Sequence, residues 1–547
     1  MDALAKLVVE HDLLNLSQSE IDAMKPDDDD ADLLLGAADG ALYTRSLQVF
    51  GNALVGIARV PAAGAHAAAV TGPAGSGGAG GLSDAAGPAA RAGYEKRLVV
   101  YSPEPVRLGF HGPTGLSGAV HYQEVVPSGI NLGPLWEHFP WTRPASLRNE
   151  RTTIGMGDRI GMASAGHIRA ARKFNVSPVL AQQSIRELDF TARSFTDVVA
   201  DAAFLVFQEG YQDGYGADGD HLKTIPDIDR ALANHMPMIT LDLTEVMKPE
   251  VADWSDAEVE QAFGNLAGEF RRRVEDRYAG KSAELETARV EIDAPTARRC
   301  AVMYGDALAF SETVNAHLKH RTGDAYDLEI SIDETTTPTL PSHHYFIARE
   351  LEVRGVTVNS LAPRFIGDFQ KGIDYIGDLD EFTRQFRVHA EIARATGGYK
   401  VSVHSGSDKF SVYPVVGEQT QMRLHLKTSG TSWLESLRTI AQTEPELYRF
   451  IHRRAFDYFP IALKAYHITA DVDSIAPLEQ ATDAELPDYL NDPNCRQLLH
   501  ISYGGLLRDP DVRERYFAAL HLHEEQHTRN VRDHLMKHME LLGAVRR

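Results

Sequence analysis

Cysteine is almost absent from this 547-residue chain, which contains only Cys300 and Cys495 and no CxxC motif. Two cysteines so far apart provide neither a disulfide framework nor a thiolate zinc site. Apolar runs are short as well, and none reaches the roughly 18 residues that a membrane-spanning helix needs. The acidic stretch MKPDDDDADL near the start is unlike a secretory leader. These absences predict a cytoplasmic protein that does not enter a membrane.

Positive charge is scarce. Lysine and arginine total 55 against 77 aspartates and glutamates, which gives a formal net charge of −22. Because nucleic acids are bound through basic surfaces, this balance argues against a nucleic-acid partner. A small anionic substrate needs only a few local cations, so it stays compatible with the composition. Hydrophobic residues, at 43%, are sufficient for a large core.

Residues 1–150 are expected to form a β-containing N-terminal region. An amphipathic helix is predicted first, and strand-like runs follow in residues 42–60, 97–110 and 117–126. Residues 61–93 interrupt these runs with little except Ala, Gly, Pro and Ser. Such a segment cannot bury enough apolar area to offset its chain entropy, so it is predicted to be a disordered surface insertion.

From residue 151 to 547, strand-like runs alternate with helical segments such as residues 342–355 and 378–398, which end at glycine. The alternation predicts parallel strands with right-handed crossovers. Eight or nine runs favour an α/β fold, a TIM-like (β/α)8 barrel with a C-terminal helix, and a doubly wound sheet is the alternative. The predicted strands are Arg151–Gly157, Val176–Gln183, Met238–Thr244, Ala325–Asp333, Val356–Pro363, Tyr399–His404, Met422–Thr428, Tyr466–Val472 and Leu498–Gly505.

Polar residues in several of these runs share one parity. In a barrel the outer strand face meets apolar helices, so the polar parity belongs to the lumen near its mouth. We therefore expect imidazoles, carboxylates and cations to gather there. The residues are Thr240 and Asp242; Glu329, Ser331 and Asp333; Ser402 and His404; Arg423, His425 and Lys427; Thr469 and Asp471.

Two segments supply the main candidates for a site. In YKVSVHSGSDKF, residues 399–410, a strand runs into turn-forming residues and leaves His404 at its carboxyl end. In YGADGDHLKT, residues 215–224, a loop is predicted before a helix that begins near Pro226, with Thr224 or Asp227 as its cap. This loop would present Asp220, His221 and Lys223.

Histidines at separate strand ends, with carboxylates nearby, suit a divalent ion such as zinc, manganese or nickel. We predict His221, His404 and His425 as its ligands. Asp220 and Glu329 are predicted to transfer protons. The candidates for holding a substrate carboxylate are Lys223, Arg364, Lys409 and Lys427.

Two short segments match motifs of other functional classes. GYGADG, residues 214–219, fits GxGxxG with Asp242 about 20 residues further on. The preceding apolar run ends six residues before the first glycine, however, and Asp220 would lie where the pyrophosphate belongs, so a dinucleotide site is not favoured. HEEQH, residues 523–527, fits the zinc-protease pattern HExxH. It lies in a heavily charged terminal segment, so a solvated helix face is the preferred interpretation.

Four longer blocks are far more specific, and together they resemble the tagaturonate epimerases from about Met156 to near the C-terminus. The resemblance implies a metal-dependent isomerase that interconverts tagaturonate and fructuronate in hexuronate catabolism, with some members accepting free ketohexoses. The blocks are GYGADGDHLKT (214–224), SLAPRFIGDFQKGIDYIGD (360–378), HSGSDKFSVYP (404–414) and LHLKTSGTSWLESLR (424–438).

The resemblance also bears on single residues. It implicates Asp408 in substrate binding and supports His425, whereas Glu329 rests on strand parity alone. The other residues that it supports are Asp220, His221, Lys223, His404 and Lys409.

The carbon that this reaction inverts is β to the ketone, which is one bond too far for simple enolisation. We therefore expect a retro-aldol and aldol route. Transient oxidation by NAD and a non-catalytic protein that binds sugar acids are the alternatives. The expected partner is a small sugar acid or ketohexose. The sequence does not decide between a monomer and a homo-oligomer.

Overall fold

The computed structural model describes residues 2–26, 34–37, 40–61, 94–333, 335, 337–428 and 430–547. The insertion predicted at residues 61–93 lies outside these ranges, except for Pro61 at the end of a strand.

An antiparallel sheet forms the N-terminal region, as predicted, with strand order β1-β2-β4-β5-β7-β6 and with β3 paired to β4. Helix α1 (Asp2–Glu10) buries Leu4 and Val8 against it. The strands are β1 (Leu34–Ala37), β2 (Gly40–Tyr43), β3 (Gln48–Phe50), β4 (Ala53–Pro61), β5 (Tyr94–Ser102), β6 (Thr114–Ser117) and β7 (Val120–Val125).

A closed parallel barrel follows, which confirms the predicted fold class. Its strands are joined around the circle in the order β10-β11-β14-β15-β16-β17-β8-β9. Between β11 and β14, the hairpin of β12 (Lys281–Glu284) and β13 (Arg289–Ile292) is separate from the barrel. The barrel strands are β8 (Thr152–Gly155), β9 (Ser177–Ser184), β10 (Gly216–Leu222), β11 (Met238–Asp242), β14 (Asp327–Ile332), β15 (Ser360–Pro363), β16 (Lys400–Val403) and β17 (Leu424–Lys427).

Two predicted strands are wrong. Residues 466–472 are irregular, and residues 498–505 belong to two helices. The missing barrel strand is β10, in the segment predicted to be a loop. Its glycines are required by packing, because a Cβ on Gly219 would lie 2.8 Å from Leu222 and 2.9 Å from Ala231. A glycine-rich strand has little intrinsic strand propensity, so its pairing with β9 and β11 determines the structure.

Helices surround the barrel and continue beyond β17. None of the helices within the described ranges combines the length and apolar character needed to cross a membrane. The remaining helices are α2 (Gln18–Ala23), α3 (Leu132–His138), α4 (Ser164–Ala171), α5 (Ile185–Thr191), α6 (Phe195–Gln208), α7 (Ile225–Ala233), α8 (Asp256–Gly264), α9 (Gly268–Arg277), α10 (Ala294–Thr322), α11 (Pro341–Val353), α12 (Leu379–Ala395), α13 (Tyr413–Gln419), α14 (Thr431–Thr443), α15 (Pro445–Ala462), α16 (Pro493–Ile501), α17 (Tyr503–Arg508), α18 (Pro510–Leu522) and α19 (Glu524–Leu542).

The HEEQH segment is not a solvated helix face, which corrects the prediction. Helix α18 ends before His523 and α19 begins after it, and Glu524 and His527 are buried. Glu524 accepts hydrogen bonds from Tyr43 and forms an ion pair with Lys96, both at 2.6 Å. The terminal helix is therefore bound to the N-terminal sheet.

Candidate active site at the barrel mouth

A polar cavity lies at the carboxyl ends of the barrel strands, where parallel barrels build their sites. It continues into an outer cleft that shares Arg186, Lys371 and Tyr466 with it and that Arg364 also lines. The inner cavity is lined by Arg159, Ser184, Arg186, Glu187, Asp220, His221, Asp333, Lys371, Gly372, His404, Ser405, Ser407, Lys427, Gly430, Tyr466 and His500.

Asp220 and His221 both line this cavity although they are adjacent in β10. In a regular strand, neighbouring side chains point to opposite faces. The pairing of β10 with β11 shifts register between Gly219 and Leu222, and His221 has a φ of 51°. This irregularity turns both side chains to the same side, as bulges near functional sites often do.

His404 follows β16 and lies between two carboxylates. Its Nε2 is 2.7 Å from Oε1 of Glu329, and its Nδ1 is 3.0 Å from Oδ1 of Asp333. The His221 ring lies beside it, with the ring centroids 5.0 Å apart. His221, Asp333 and His404 each offer one ligand atom, and these atoms all lie within 4.8 Å of one another.

The carboxylates favour the charged form of both imidazoles. Burial alone would lower the pKa of His221, but Asp220, followed by Asp242 and Asp333, raises it to about 10. Burial likewise opposes charge on His404, and Asp333 raises its pKa above the usual value. The same negative potential would favour a divalent cation.

Lys427 is the centre of a buried ionic network, which we call the Lys427 network. Its Nζ donates to Asp220 at 2.5 Å and to Thr240 at 2.6 Å, and it lies 3.0 Å from both Asp218 and Glu329. Burial would raise the pKa of Asp220 and of Glu329, but Lys427 holds the pKa of each carboxyl below its usual value.

The predicted proton-transfer pair does not flank a common space. Asp220 lines the cavity, whereas Glu329 is fully buried beneath it and is absent from the lining. Glu329 accepts hydrogen bonds from His404 and Ser360, so its two oxygens are occupied by the protein. These contacts orient His404, and proton transfer by Glu329 stays a prediction.

His425 lies deeper in the lumen than the other predicted ligands. It belongs to β17 two residues before Lys427, is fully buried, and does not line the cavity. Its Nδ1 is 2.9 Å from Oγ1 of Thr153 on the neighbouring strand. Burial lowers its pKa to about 3, because the nearby carboxylate of Glu329 opposes the shift only in part and Lys427 adds to it. The structure thus brings His221 and His404 together without His425.

The predicted substrate-binding cations divide into two groups. Lys427 lines the inner cavity and Arg364 the outer cleft. Lys223 lines neither, and its Nζ lies 3.2 Å from Glu245 and 3.8 Å from Asp242. Lys409 is fully buried, its Nζ donates to the carbonyls of Gln370, Ile373 and Ser407, and it lines neither the inner cavity nor the outer cleft. Lys409 thus joins two loops, and its role in substrate binding stays a prediction.

Asp408, for which substrate binding stays a prediction, contacts C-terminal helices in this geometry. Its carboxylate binds Arg496 at 2.7 Å and His534 at 2.5 Å, and its backbone N–H donates to Nε2 of His538. Asp408, His534 and His538 form a second group with metal-ligand spacing. Both nitrogens of His538 are occupied by backbone groups, because Nδ1 donates to the carbonyl of His534. A clamp between α19 and the loop after β16 explains this group without a metal.

Several cavity residues were missed by sequence reasoning. Arg159 follows β8, Lys371 lies after β15, and His500 is on α16. The KGIDY block contains Lys371, but its position in the cavity depends on tertiary contacts. His500 was assigned to a strand, and its run LLHIS gives no sign of a site. Asp218 of the Lys427 network lies two residues before Asp220, so strand parity could have predicted that both face the lumen.

The GxGxxG segment does not form a dinucleotide-binding turn. Gly216 and Gly219 lie inside β10, so the glycines are not at a junction between a strand and a helix. The fingerprint requires such a junction, where the helix N-terminus faces the pyrophosphate.

Comparison with known proteins agrees with the fold and shows the family. Residues 94–542 match the profile of the family described as "UxaE: tagaturonate epimerase". A Thermotoga maritima protein named "Tagaturonate/fructuronate epimerase" is 40% identical over 412 residues, covering 75% of this chain and 85% of that protein.

Crystal structures of fructuronate-tagaturonate epimerase UxaE from Cohnella laeviribosi also match. The glycerol complex superimposes with a TM-score of 0.82 at 39% identity, covering 92% of this chain and 96% of that chain. The native structure gives the same TM-score and identity and is covered over 97% of its length. The chain is therefore an isomerase that belongs to the tagaturonate epimerase family.

Proposed function

We propose that this protein interconverts tagaturonate and fructuronate by inverting the carbon β to the ketone. The observation that carries the proposal is the convergence of Asp220, His221, Asp333 and His404 in one cavity at the mouth of the barrel. The relatives that share this fold and most of this chain carry that activity in their names.

The residues present fit a divalent cation held by His221, Asp333 and His404. If His404 donates its Nε2 hydrogen to Glu329, the neutral ring turns a lone pair on Nδ1 toward Oδ1 of Asp333 at 3.0 Å. Two acceptors in contact need a proton or a cation between them. A metal-bound imidazole also commonly donates its other ring N–H to a carboxylate, as His404 would to Glu329.

When bound, such a cation supplies Lewis-acid stabilisation of negative charge on substrate oxygens. The choice among zinc, manganese and nickel is open, since imidazole with carboxylate suits each of them. His425, which lies outside the group, is not included among the proposed ligands.

Asp220 is the proposed base. Its lowered pKa keeps it ionised near neutral pH, and it is the member of the Lys427 network, besides Lys427 itself, that lines the cavity. In the proposed reaction it accepts the proton of the β-hydroxyl while the bond between the α and β carbons breaks. This gives an aldehyde and an enediolate. Rotation of the aldehyde, re-formation of the same bond and return of the proton invert the β carbon without net loss of atoms or electrons.

The experiment that tests this function is the incubation of tagaturonate with the purified protein, with fructuronate measured by chromatography. We expect turnover that EDTA abolishes and added zinc, manganese or nickel restores. His404→Ala should lower kcat/KM by at least about 100-fold, as loss of a metal ligand does. His320→Ala, on the exposed end of α10, is the matched control. Ligand binding without turnover would identify a sugar-acid binding protein instead.

Deuterium at the β carbon of tagaturonate separates the retro-aldol route from transient oxidation. The retro-aldol route leaves this carbon–hydrogen bond intact, so we expect no primary isotope effect and full retention of deuterium in fructuronate. Oxidation by NAD breaks the bond and would give a primary isotope effect. The ratio of initial rates for the labelled and unlabelled substrates, with mass spectrometry of the product, measures both.

A further inference from the structure

One wall of the inner cavity carries hydrogen-bond donors, two of them positively charged, whereas the other side carries His221, His404 and carboxylates. Arg159 from the loop after β8, Lys371 from the loop after β15 and His500 from α16 all line it. Nζ of Lys371 donates to Oγ of Ser405 at 2.8 Å, and Ser405 is the residue that follows His404 in the chain.

His500 is built into this wall. A Cβ on Gly430 would lie 2.1 Å from its Cε1, and a Cβ on Gly372 would lie 3.4 Å from its Nδ1. Both glycines line the same cavity, so the ring occupies space that any other residue at position 430 would fill. The imidazole is almost completely buried, at 1% exposure.

The tautomer of His500 follows from its neighbour. Nη1 of Arg159 lies 3.4 Å from Nε2 of His500, and because a guanidinium only donates, Nε2 must accept. Burial, followed by the charges of Arg159 and Lys371, holds the pKa of His500 well below its usual value, so the ring is neutral. Its hydrogen is therefore on Nδ1. Within the described residues this buried atom has no hydrogen-bond partner.

The wall thus offers one buried N–H donor without an acceptor among the described residues, Nδ1 of His500, beside the charged groups of Arg159 and Lys371. Arg159 is paired with Glu187, which accepts from its Nε and Nη2 at 3.0 and 2.8 Å and fixes the guanidinium. The Arg159 guanidinium also lies over the Tyr503 ring, with Cζ 4.1 Å from the ring centroid. A fixed guanidinium, an ammonium and an N–H donor are the partners that a carboxylate prefers.

We propose that Arg159, Lys371 and His500 form a carboxylate subsite, which binds the acid group of the substrate and makes the enzyme select uronates over neutral ketohexoses. The inference rests on the proposed function for the identity of the substrate. It adds new residues to the four cations predicted from sequence, of which Lys427 lines the inner cavity and Arg364 the outer cleft.

The test compares the binding of two matched probes by titration calorimetry, using the full chain. Gluconate carries a carboxylate, and glucitol has a hydroxymethyl group in its place. We expect Lys371→Met to weaken gluconate binding by about 10-fold to 100-fold, the range for a lost charge-assisted hydrogen bond. Glucitol binding should change far less. Lys371→Arg should recover most of the preference, and Lys319→Met, exposed on α10, should leave both affinities unchanged.

His500→Leu is the second variant, in case one substitution disturbs folding, and it should also reduce the preference for gluconate. Equal loss of both probes in Lys371→Met and His500→Leu, or no loss in either, would overturn the subsite. The binding assay needs no turnover. A protein that prefers gluconate but does not epimerise tagaturonate would refute the proposed function and keep the subsite. A protein that epimerises tagaturonate but shows no preference for gluconate would refute the subsite and keep the proposed function.

Discussion

At the scale of single residues, charge neutralisation inside the barrel determines which groups can act. Lys427 contacts three carboxylates and is itself nearly fully buried. Burial disfavours its charge, but Asp218, Asp220 and Glu329 raise the pKa of Lys427 well above its usual value. The ammonium therefore keeps Asp220 ionised and in place at the cavity.

Lys427→Met should destabilise the protein by about 3–5 kcal/mol, because it leaves buried carboxylates without their cation. The free energy of unfolding in urea measures this, with Lys319→Met as the control. Adding Asp218→Asn to Lys427→Met should recover part of the loss, since one uncompensated charge is removed. A Lys427→Met variant as stable as the native protein would show that the network is not a source of stability.

Contacts between distant elements explain what the sequence could and could not predict. His404 and Lys427 were placed at strand ends because strand alternation and turn chemistry are local. Of the two caps predicted for α7, Thr224 and Asp227, the structure uses Thr224. Strand β10 was missed because its glycines serve contacts with Ala231 and Leu222, which a local propensity does not reveal. The turn of His221 into the cavity depends on a register shift between paired strands.

The same distinction applies to the C-terminal helices. Residues 498–505 have the apolar run of a buried strand, and periodicity alone cannot separate that from a buried helix. The structure packs α16 and α17 into a second core with Trp433 and Tyr516. His500 reaches the cavity only because this core is docked on the barrel mouth, so its role could not be predicted from its neighbours in sequence.

The contact of α19 with the N-terminal sheet should be sensitive to acid. Burial opposes charge on Glu524, but Lys96 and Tyr43 lower its pKa from 4.5 to about 2. Its stabilising effect is therefore complete above about pH 5 and is lost as the pH falls from 4.5 through 2. Glu524→Gln should lower the free energy of unfolding by about 2–4 kcal/mol at pH 7 and by much less near pH 2.

Unfolding in urea at a series of pH values tests this, and Glu514→Gln, exposed on α18, is the control. A difference between Glu524→Gln and the native protein that is constant with pH would contradict the assigned ion pair.

At the scale of the whole molecule, the barrel and the C-terminal helices contribute opposite sides of one cavity. Strand ends provide Asp220, His221, Asp333 and His404, while α16 provides His500. The chain carries a net charge of −22, yet cations line this cavity. An acidic protein can thus bind an acidic sugar, because recognition depends on local donors and not on the net charge.

Titration of metal-depleted protein with manganese, with bound metal and epimerase activity measured on the same samples, tests the central claim most directly. The account predicts that activity with tagaturonate rises in proportion to bound metal up to one equivalent per chain. It also predicts that neither binding nor activity survives in His404→Ala. Full activity in the metal-depleted protein, or unchanged metal binding in His404→Ala, would contradict it.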